Sequence, residues 1–341
     1  MSGLTTVSIP VVTNLVMRAF MNAGIPESDA LNVAESLVKS ESEGHPSHGL
    51  LRVSQIITRV SQGLINPRPD LQVLQDFGAV ASIDGDHGLG QVIARSAMEI
   101  AIAKAKSFGI GAVSVRNSTH FGRSSHHAEI AATHGLVGLS ATNASPRVVP
   151  GPRIRPVVGN NPWALAWPSL DSVHCLDICT SIAAAGKIRK AADTGEAIPD
   201  GWALDEDGAP TTDPHAALSG ALLAIGGHKG WGISVVVDVL TGGLANGSMG
   251  VDVGGVDDLS RRQHSSHLLL AIDPRAFSND AMFETRMTAY ATKLRECGGE
   301  TVRLPGQRST ENLQRAISDG LCVPEHILKR LEALAESRDD H

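Results

Sequence analysis

Apolar residues recur at helical spacing through VVTNLVMRAFMNAG (residues 11–24), where Gly24 is placed to stop a helix. The next run, PESDALNVAESLVKSESEG (26–44), has Pro26 at its start, acidic residues in its first turn and Gly44 at its end, which predicts a second helix. HGLLRVSQIITRVSQG (48–63) predicts a third, and the two prolines of INPRPD (65–70) break the pattern. From residue 71 the texture changes. LQVLQDFGAVASIDG predicts two short strands, QVIARSAMEIAIAKAKSFG a helix ending at Gly109, and GIGAVSVRNS a strand of small and β-branched residues. A short helix in HHAEIAATHG follows, then strands in LVGLSATNA, ALAWPS, VHCLDICTS and HLLLAIDP. SGALLAIGGHKGWGISVVVDVLTGGLANG predicts a turn and a long apolar helix, and helix returns from NDAMFETRMTAYATKLREC onward. The layout is a mixed α/β chain: a helical N-terminal segment (1–75), a central sheet unit (76–285) and C-terminal helices (286–341) that pack back on the first segment.

Composition narrows the classes. The chain has 341 residues, 42% of them hydrophobic and 19% charged, with no apolar run long enough to span a bilayer. Its start, MSGLTTVSIP, lacks the basic and apolar regions of a signal peptide. A formal charge of −7 argues against nucleic acid or an anionic membrane as partner. Four cysteines are no disulfide framework, so a reducing cytoplasm is expected. Cys175 and Cys179 form one pair without a second, which reads as buried thiols on a strand rather than a zinc site, and no metal is expected.

Thirty-five glycines against 3% aromatics, and 14 histidines, put weight on loops that approach a ligand closely. The dinucleotide fingerprint is absent: GLGQVI supplies Gly88 and Gly90 but has Ile93 at the third glycine position. In PSHGLLR, Ser47 suits a helix N-cap, while His48 and Arg52, four apart, would share one helix face. A 2-oxo acid carries its carboxylate and carbonyl on adjacent carbons. Arg52 would clamp the carboxylate and His48 deliver a proton to the neighbouring oxygen, with Ser47 orienting the imidazole. A bare helix cap explains the serine equally well. NSTHFGRSSHH, with Gly122 and Arg123, is a candidate anion cradle at a helix N-terminus, or a polar turn. GGHKGWGISVVVDVL places Lys229 before a helix without the P-loop spacing. VVGNNPWALAWP sets Asn160 and Asn161 in a turn where their amides would reach a ligand.

Together and in this order, SHGLLR, DGDHGLGQ, VRNSTHFG, GNNPWALAWP, DICTS, IPDGWALDEDGAPTTDP, GGHKGWGISVVVDVLTGGLANG and LPGQR resemble the malate/L-lactate dehydrogenase family of the non-Rossmann type, which includes sulfolactate and ureidoglycolate dehydrogenases and Δ1-piperideine-2-carboxylate reductases. The resemblance runs from about residue 47 to residue 308. It implies a non-Rossmann NAD(P)-binding domain on a largely antiparallel central sheet, a helical domain from both termini, and a homodimer. It implies reduction of a 2-oxo acid, or of a cyclic imine bearing a carboxylate, by NADH or NADPH. His48 matches the proton donor, Ser47 its assistant and Arg52 the carboxylate ligand, and His120 faces nicotinamide or substrate. Cofactor contacts fall on His120, Phe121, Gly122, Arg123 and Ser124, on Asp177, Ile178 and Cys179, on Lys187, His228 and Lys229, and on Arg303, Gly306, Gln307 and Arg308.

The chain departs from the family pattern in four places. Asn160 replaces a threonine at a substrate contact. Lys187 stands where the imine reductases carry an aspartate, which favours hydroxy-acid dehydrogenation over imino-acid reduction. GQRS lacks a common acidic residue. PGPRIRPVVG adds Arg153 and Arg155, positive charge that would favour a substrate with a second acidic group, as in malate or sulfolactate; solvated surface arginines are the alternative. A reductase of cyclic or N-substituted imino acids, and a non-catalytic nucleotide or metabolite binder, are the alternatives. The retained serine, histidine and arginine argue against the latter, and no histidine cluster has the spacing for metal-dependent hydrolysis.

Overall fold

In the computed structural model, residues 3–278, 282–298 and 301–336 are described. The chain begins with strand β1 (Leu4–Val7) and helices α1 (Ile9–Asn22), α2 (Glu27–Ser42) and α3 (Arg52–Ser61). Then come β2 (Gln72–Phe77), β3 (Val80–Asp84), α4 (Gly90–Phe108), β4 (Ile110–Ser118), α5 (Ser124–Thr133) and β5 (Val137–Thr142). A middle section holds β6 (Val148–Val149), β7 (Trp163–Pro168), β8 (Val173–Ile178), α6 (Ala185–Thr194), β9 (Ala203–Leu204), β10 (Pro210–Thr211), α7 (Pro214–Ser219), β11 (Ala221–Leu223) and α8 (His228–Asp238). The chain closes with β12 (Ser265–Ile272), α9 (Phe283–Gly298), α10 (Gln307–Asp319), β13 (Leu321–Pro324) and α11 (Glu325–Glu336). The first three residues of the NDAMFETRM run lie outside the described residues.

The three largest apolar clusters among the described residues organise these elements. Val12, Val16 and Phe20 of α1 meet Val33 and Leu37 of α2, Val53 of α3, Val323 of β13 and Leu331 of α11 in one cluster, so both ends of the chain bury their apolar faces together. β1 and β13 pair antiparallel above it, Leu4 opposite Pro324. The second core lies under a seven-stranded sheet of order β2-β3-β4-β12-β5-β7-β8, antiparallel at every pair except β3–β4. There Ile93 and Met98 of α4 pack on Val113 and Leu269. The largely antiparallel mixed sheet is the expected fold class.

The third core was not foreseen. Val148, Ile188, Ile198, Ala203 and Leu222 close a small four-stranded sheet, β10-β9-β11-β6, over α6 and α7. Two- and three-residue strands are too short to show a period of two, so the sequence reads as loop there. The expected boundary at residue 75 falls inside β2, which belongs to the large sheet. The long apolar helix is shorter than expected: α8 ends at Asp238 and continues as a π turn, Val239–Gly243. Among the described residues no helix is long and apolar enough to cross a membrane.

Candidate active site

After α2 the chain turns through Gly44 (φ +83°) into a single 3-10 turn, Pro46–His48. The Glu41 carboxylate accepts the Leu50 N–H at 2.9 Å and pins the next loop. Gly49 has a non-helical backbone (φ −105°, ψ −137°), and a Cβ there would strike Glu41 Oε2 at 2.1 Å. Helix α3 therefore starts only at Arg52, with Leu51 in the cap position and no side chain capping it. Two expectations are corrected. Ser47 is not the N-cap of α3, and His48 and Arg52 are not neighbours on one helical face. The turn joins them instead: Arg52 Nε donates to the Ser47 carbonyl at 2.7 Å, and Ser47 Oγ lies 3.0 Å from His48 Nδ1.

His120 follows β4 and stacks on His48, with ring centroids 5.5 Å apart and planes 26° apart. It is held from behind by the start of α4. A Cβ on Gly90 would lie 2.3 Å from the Thr119 carbonyl oxygen and 2.7 Å from the His120 carbonyl carbon. The Gly90 N–H donates to Thr119 Oγ1, which in turn donates to the Gly88 carbonyl. The glycines of GDHGLGQ thus serve a close helix–strand contact rather than a dinucleotide turn. The Gly122 N–H donates to His120 Nδ1 at 3.3 Å, which leaves the neutral ring's proton on Nε2. Burial pushes the His48 pKa down to about 3, with Arg52, Arg123 and His45 adding to the effect. His120 is lowered well below the ordinary value, by burial first and by Arg52 and His48 next.

Both rings open onto one cavity, with Arg52, Arg147, Arg189 and Asn160 also in its wall. Arg52 Nη1 donates to Gln55 Oε1 at 2.7 Å, and Gln55 Nε2 donates to Asp257 Oδ1 at 2.6 Å. Asp257 also pairs with Arg189. A Cβ on Gly186 would approach the Ser47 Cβ to 2.7 Å, so the start of α6 packs tightly on the Pro46–His48 turn. Asn160 lines the cavity, whereas Asn161 is spent on structure: it accepts the Ala144 N–H and donates to the Ser234 carbonyl. Arg153 and Arg155 are exposed and line none of the clefts described here. The positive charge they were expected to add is supplied by Arg147 and Arg189.

The cavity runs on into a groove past His45, Lys187 and Arg308, and from there into a cleft lined by Arg123, Ser125, Asp177, Arg303, Gly306 and Arg308. The expected cofactor segments around residues 123, 177, 303 and 306–308 are thus brought together. The anion cradle is not open as expected. Asp177 Oδ2 accepts the Ser125 N–H at 2.9 Å and occupies the start of α5, while Arg123 is buried against Glu43. Phe121 and Gly122 line the cavity of His48 and His120, and Phe121 stacks on His267 at 4.6 Å. Ser124 is buried behind the cleft, its carbonyl accepting Ser140 Oγ. Ile178 pairs with Trp163, and Cys179 contacts Ser181. Gln307 caps α10 locally through the Leu304 N–H and Glu311. Lys187 is exposed with its Nζ 5.9 Å from the Trp202 ring centroid, apart from the serine–histidine contact. His228 and Lys229 are exposed at the start of α8 and line none of these clefts.

Sequence reasoning missed Arg147, Arg189, Asp257 and His45. His45 sits two residues from Ser47 and was legible by proximity, whereas the others come from distant loops and carry no local signal. His45 Nε2 lies 3.1 Å from Ser309 Oγ, and burial with Arg123 and Arg308 pushes its pKa down to about 4. Cys175 is buried and Cys179 half-buried, both free thiols. Among the described residues no group of three potential ligands is placed to hold a metal ion.

Two stacked histidines, a serine hydroxyl and an arginine thus share one cavity that opens into a long groove, on a sheet without the Rossmann order. The family model described as malate/L-lactate dehydrogenase matches residues 7–332, and the chain belongs to this family. It is 33% identical over 324 residues to a malate/(S)-sulfolactate dehydrogenase of Methanothermus fervidus, covering 95% of each chain. It is 34% identical to a (2R)-3-sulfolactate dehydrogenase (NADP(+)) of Chromohalobacter salexigens, covering 97% of this chain and 98% of that one. It is 33% identical to a ureidoglycolate dehydrogenase (NAD(+)) of Escherichia coli O157:H7, covering 93% and 92%. Among solved structures it superposes on sulfolactate dehydrogenase from Methanocaldococcus jannaschii with a TM-score of 0.89, at 32% identity over 97% of this chain and 96% of that one. The Δ1-piperideine-2-carboxylate reductase from Pseudomonas syringae gives a TM-score of 0.90, at 31% identity over 97% and 99%.

Proposed function

We propose that this protein interconverts a 2-oxo acid and a 2-hydroxy acid with NAD or NADP as hydride carrier. The observation that carries the reading is the stacked His48–His120 pair in one cavity with Arg52, one of its rings bonded to a hydroxyl. Arg52 takes the substrate carboxylate through the N–H groups not given to Ser47 and Gln55. In reduction, the protonated His48 gives its Nε2 proton to the C2 oxygen as that oxygen gains charge, while its Nδ1–H donates to Ser47 Oγ and keeps the ring oriented. His120 Nε2–H is a fixed donor to the same oxygen, and Asn160 borders the substrate.

The dinucleotide suits the groove that leads away from these rings. Its far cleft offers the Arg303 and Arg308 cations and the buried Ser125 hydroxyl, which has no hydrogen-bond partner among the described residues. Asp177 and His45 border the same stretch, and Gly306 (φ +84°) brings backbone close. When bound, the nicotinamide supplies or accepts the hydride at C2. NAD and NADP both appear among the relatives, and either fits this cationic end. The protein acts as a homodimer, with an apolar face of α8 as its contact, in the reducing setting that suits four free cysteines.

Nicotinamide oxidation with purified protein and pyruvate, oxaloacetate, 2-oxoglutarate, sulfopyruvate or Δ1-piperideine-2-carboxylate tests the reading, each with NADH and NADPH. Turnover of a linear oxo acid is expected, with His48→Ala lowering kcat by about 10²–10⁴-fold. The imine reductase is the second reading, favoured by the structural likeness to the piperideine-2-carboxylate enzyme. Lys187 weighs against it, since its ammonium faces Trp202 and not the Ser47–His48 contact. Turnover of the imine alone would replace the first reading by the second, and cofactor binding without turnover of any substrate would leave only a nucleotide binder.

A further inference from the structure

We infer that Gln263 is a further substrate-binding residue, its side-chain Nε2–H2 group donating to a carboxylate oxygen of the substrate beside Arg52. The inference rests on the oxo-acid reading above and adds a second, neutral donor to its carboxylate clamp.

The hydrogen bonding of Gln263 fixes which end of its amide meets a ligand. Its Oε1 accepts the backbone N–H of His120 at 3.1 Å. A backbone N–H can only donate, so the oxygen faces His120 and the nitrogen is the end left over. Gln263 is buried and lines the cavity, and its Nε2 has no hydrogen-bond partner among the described residues. An NH2 group held there without an acceptor costs free energy, which an oxygen of the ligand removes.

The neighbours narrow the ligand atom. A small recess lies behind the cavity, and Arg52, His120, Val256 and Gln263 border both. Val256 is apolar. The polar part of this dividing wall is therefore a guanidinium, an imidazole N–H and an amide NH2, three donors with no acceptor among them. Arg52 has already given Nε to the Ser47 carbonyl and one Nη1 bond to Gln55. With His120 Nε2–H directed at the C2 oxygen, the substrate carboxylate is shared by Arg52 and Gln263. Its two oxygens offer about four acceptor sites, more than the remaining N–H groups of Arg52 fill in one plane.

Gln263 is also held in place at a cost in backbone strain. Its carbonyl accepts the Gly254 N–H at 2.8 Å, and a Cβ on Gly254 would lie 2.5 Å from the Arg262 carbonyl oxygen. His264, the next residue, has φ +51° and sets its Nδ1 3.2 Å from Asn117 Oδ1. Asn117 also has φ +51°, and its carbonyl accepts the N–H of His87, at φ +56°. The His87 ring meets that of His264 edge-on at 4.8 Å. Three non-glycine residues in the left-handed region thus brace the chain where Gln263 precedes β12 and His120 follows β4. Strain of this kind persists where the surrounding structure over-determines a functional geometry.

Two variants of the holoenzyme test the assignment. Gln263→Glu keeps an oxygen for the His120 N–H and loses the donor, whereas Gln263→Met loses both without adding charge. The KM for the oxo acid is expected to rise about 10-fold or more in each, the effect of losing a hydrogen bond to a charged group. The cofactor dissociation constant is expected to stay near that of the wild type. A tie to His120 with no ligand contact predicts a different split: Gln263→Glu behaves as the wild type, and Gln263→Met loses kcat at constant KM. That split, or an unchanged KM in either variant, overturns the inference. A crystal structure of the wild type with NADH and oxamate gives a readout that needs no variant. Gln263 Nε2 within about 3.2 Å of an oxamate carboxylate oxygen is expected, and a separation beyond hydrogen-bond reach overturns the inference. Each of these failures leaves the oxo-acid reading standing. If the wild type turns over no oxo acid and binds no oxamate, that reading itself fails and the inference falls with it.

Discussion

His48 and His120 are two rings of the same kind in contact, and their hydrogen-bond partners decide which one can exchange a proton. Nδ1 of His120 accepts a backbone N–H, which has no lone pair to offer in return, so a second ring proton has nowhere to go on that side. Ser47 Oγ, beside His48 Nδ1, both donates and accepts, and so tolerates either state of that ring. The charge of His48 follows its surroundings. The sequence suggests a protonated imidazole whose activity fades as pH rises through an ordinary histidine pKa. In the structure, burial and the adjacent guanidiniums hold that pKa at about 3, and the free protein carries a neutral base at neutral pH. Oxidation of the hydroxy acid needs this neutral form, so its kcat/KM should be level with pH across pH 5.5–8 as far as His48 is concerned. Reduction needs the protonated minority, whose share falls tenfold for each unit of rising pH above about 3, so log kcat/KM should fall with unit slope over the same range. Bound substrate carboxylate offsets Arg52 and lifts the pKa in the complex, which moves the decline of kcat itself to higher pH. Initial rates in both directions across this range check the prediction. A level reduction limb in kcat/KM would remove His48 from the role of acid.

Among the elements, the segment 253–263 helps shape the cavity, since Gly254, Val256 and Gln263 line it and Asp257 tethers Arg189. It has no strand or helix of its own beyond turns and is held by one buried side chain from α3. Arg59 is 1% exposed, and its guanidinium donates to the carbonyls of Val256, Asp258 and Arg261. Replacing Arg59 by Leu removes three donors and leaves those carbonyls to find water. A loss of about 2–4 kcal/mol is expected, together with a rise in KM for the acid substrate as Asp257 and Arg189 loosen. Thermal unfolding and steady-state kinetics measure the two effects, and a variant with unchanged KM would show that the loop keeps its shape without the arginine. Arg59 also marks the limit of what the sequence shows. As part of ITRVSQG it reads as a polar helix position, and only the folded chain reveals that α3 points it at a loop about two hundred residues away. The long helices and sheet strands were legible because their apolar spacing is local. Ser47, His48 and Arg52 were legible as a group because they are adjacent in sequence, although the geometry that joins them is a turn rather than a helix face. Arg147, Arg189 and Asp257 meet only through the small sheet and α6, whose short strands carry no pattern to read.

For the whole molecule, the distribution of exposed apolar residues bears on the homodimer we propose. Ile233, Val236, Leu240 and Leu244 recur at helical spacing through α8 and the π turn, and all are exposed, with Val239 and Val251 beside them. A solvent-facing stripe of this kind is uncommon on a monomer and marks a contact surface. Phe77, the last residue of the edge strand β2, is exposed as well. That edge is broken by a register shift between Val73 and Gln75, the kind of irregularity that discourages strand-to-strand association. The α8 stripe is therefore the contact we propose for the dimer. It is also tied to the substrate cavity through Asp238, whose carboxylate accepts from Asn143 in the cavity wall and from the Gly250 N–H. Light scattering on the eluting protein should give twice the 35.7 kDa chain mass. The double substitution Val236→Glu with Leu244→Glu should halve it, because two carboxylates in an apolar contact are desolvated without partners. Phe77→Glu should leave it unchanged. Should the wild type run as a monomer at micromolar concentration, the α8 stripe must have another purpose. Should Phe77→Glu alone dissociate the protein, the contact lies at the β2 edge. Loss of turnover on dissociation of the α8 variant would further tie the π turn and Asp238 to the shape of the substrate cavity, since no residue of the stripe lines that cavity in the single chain.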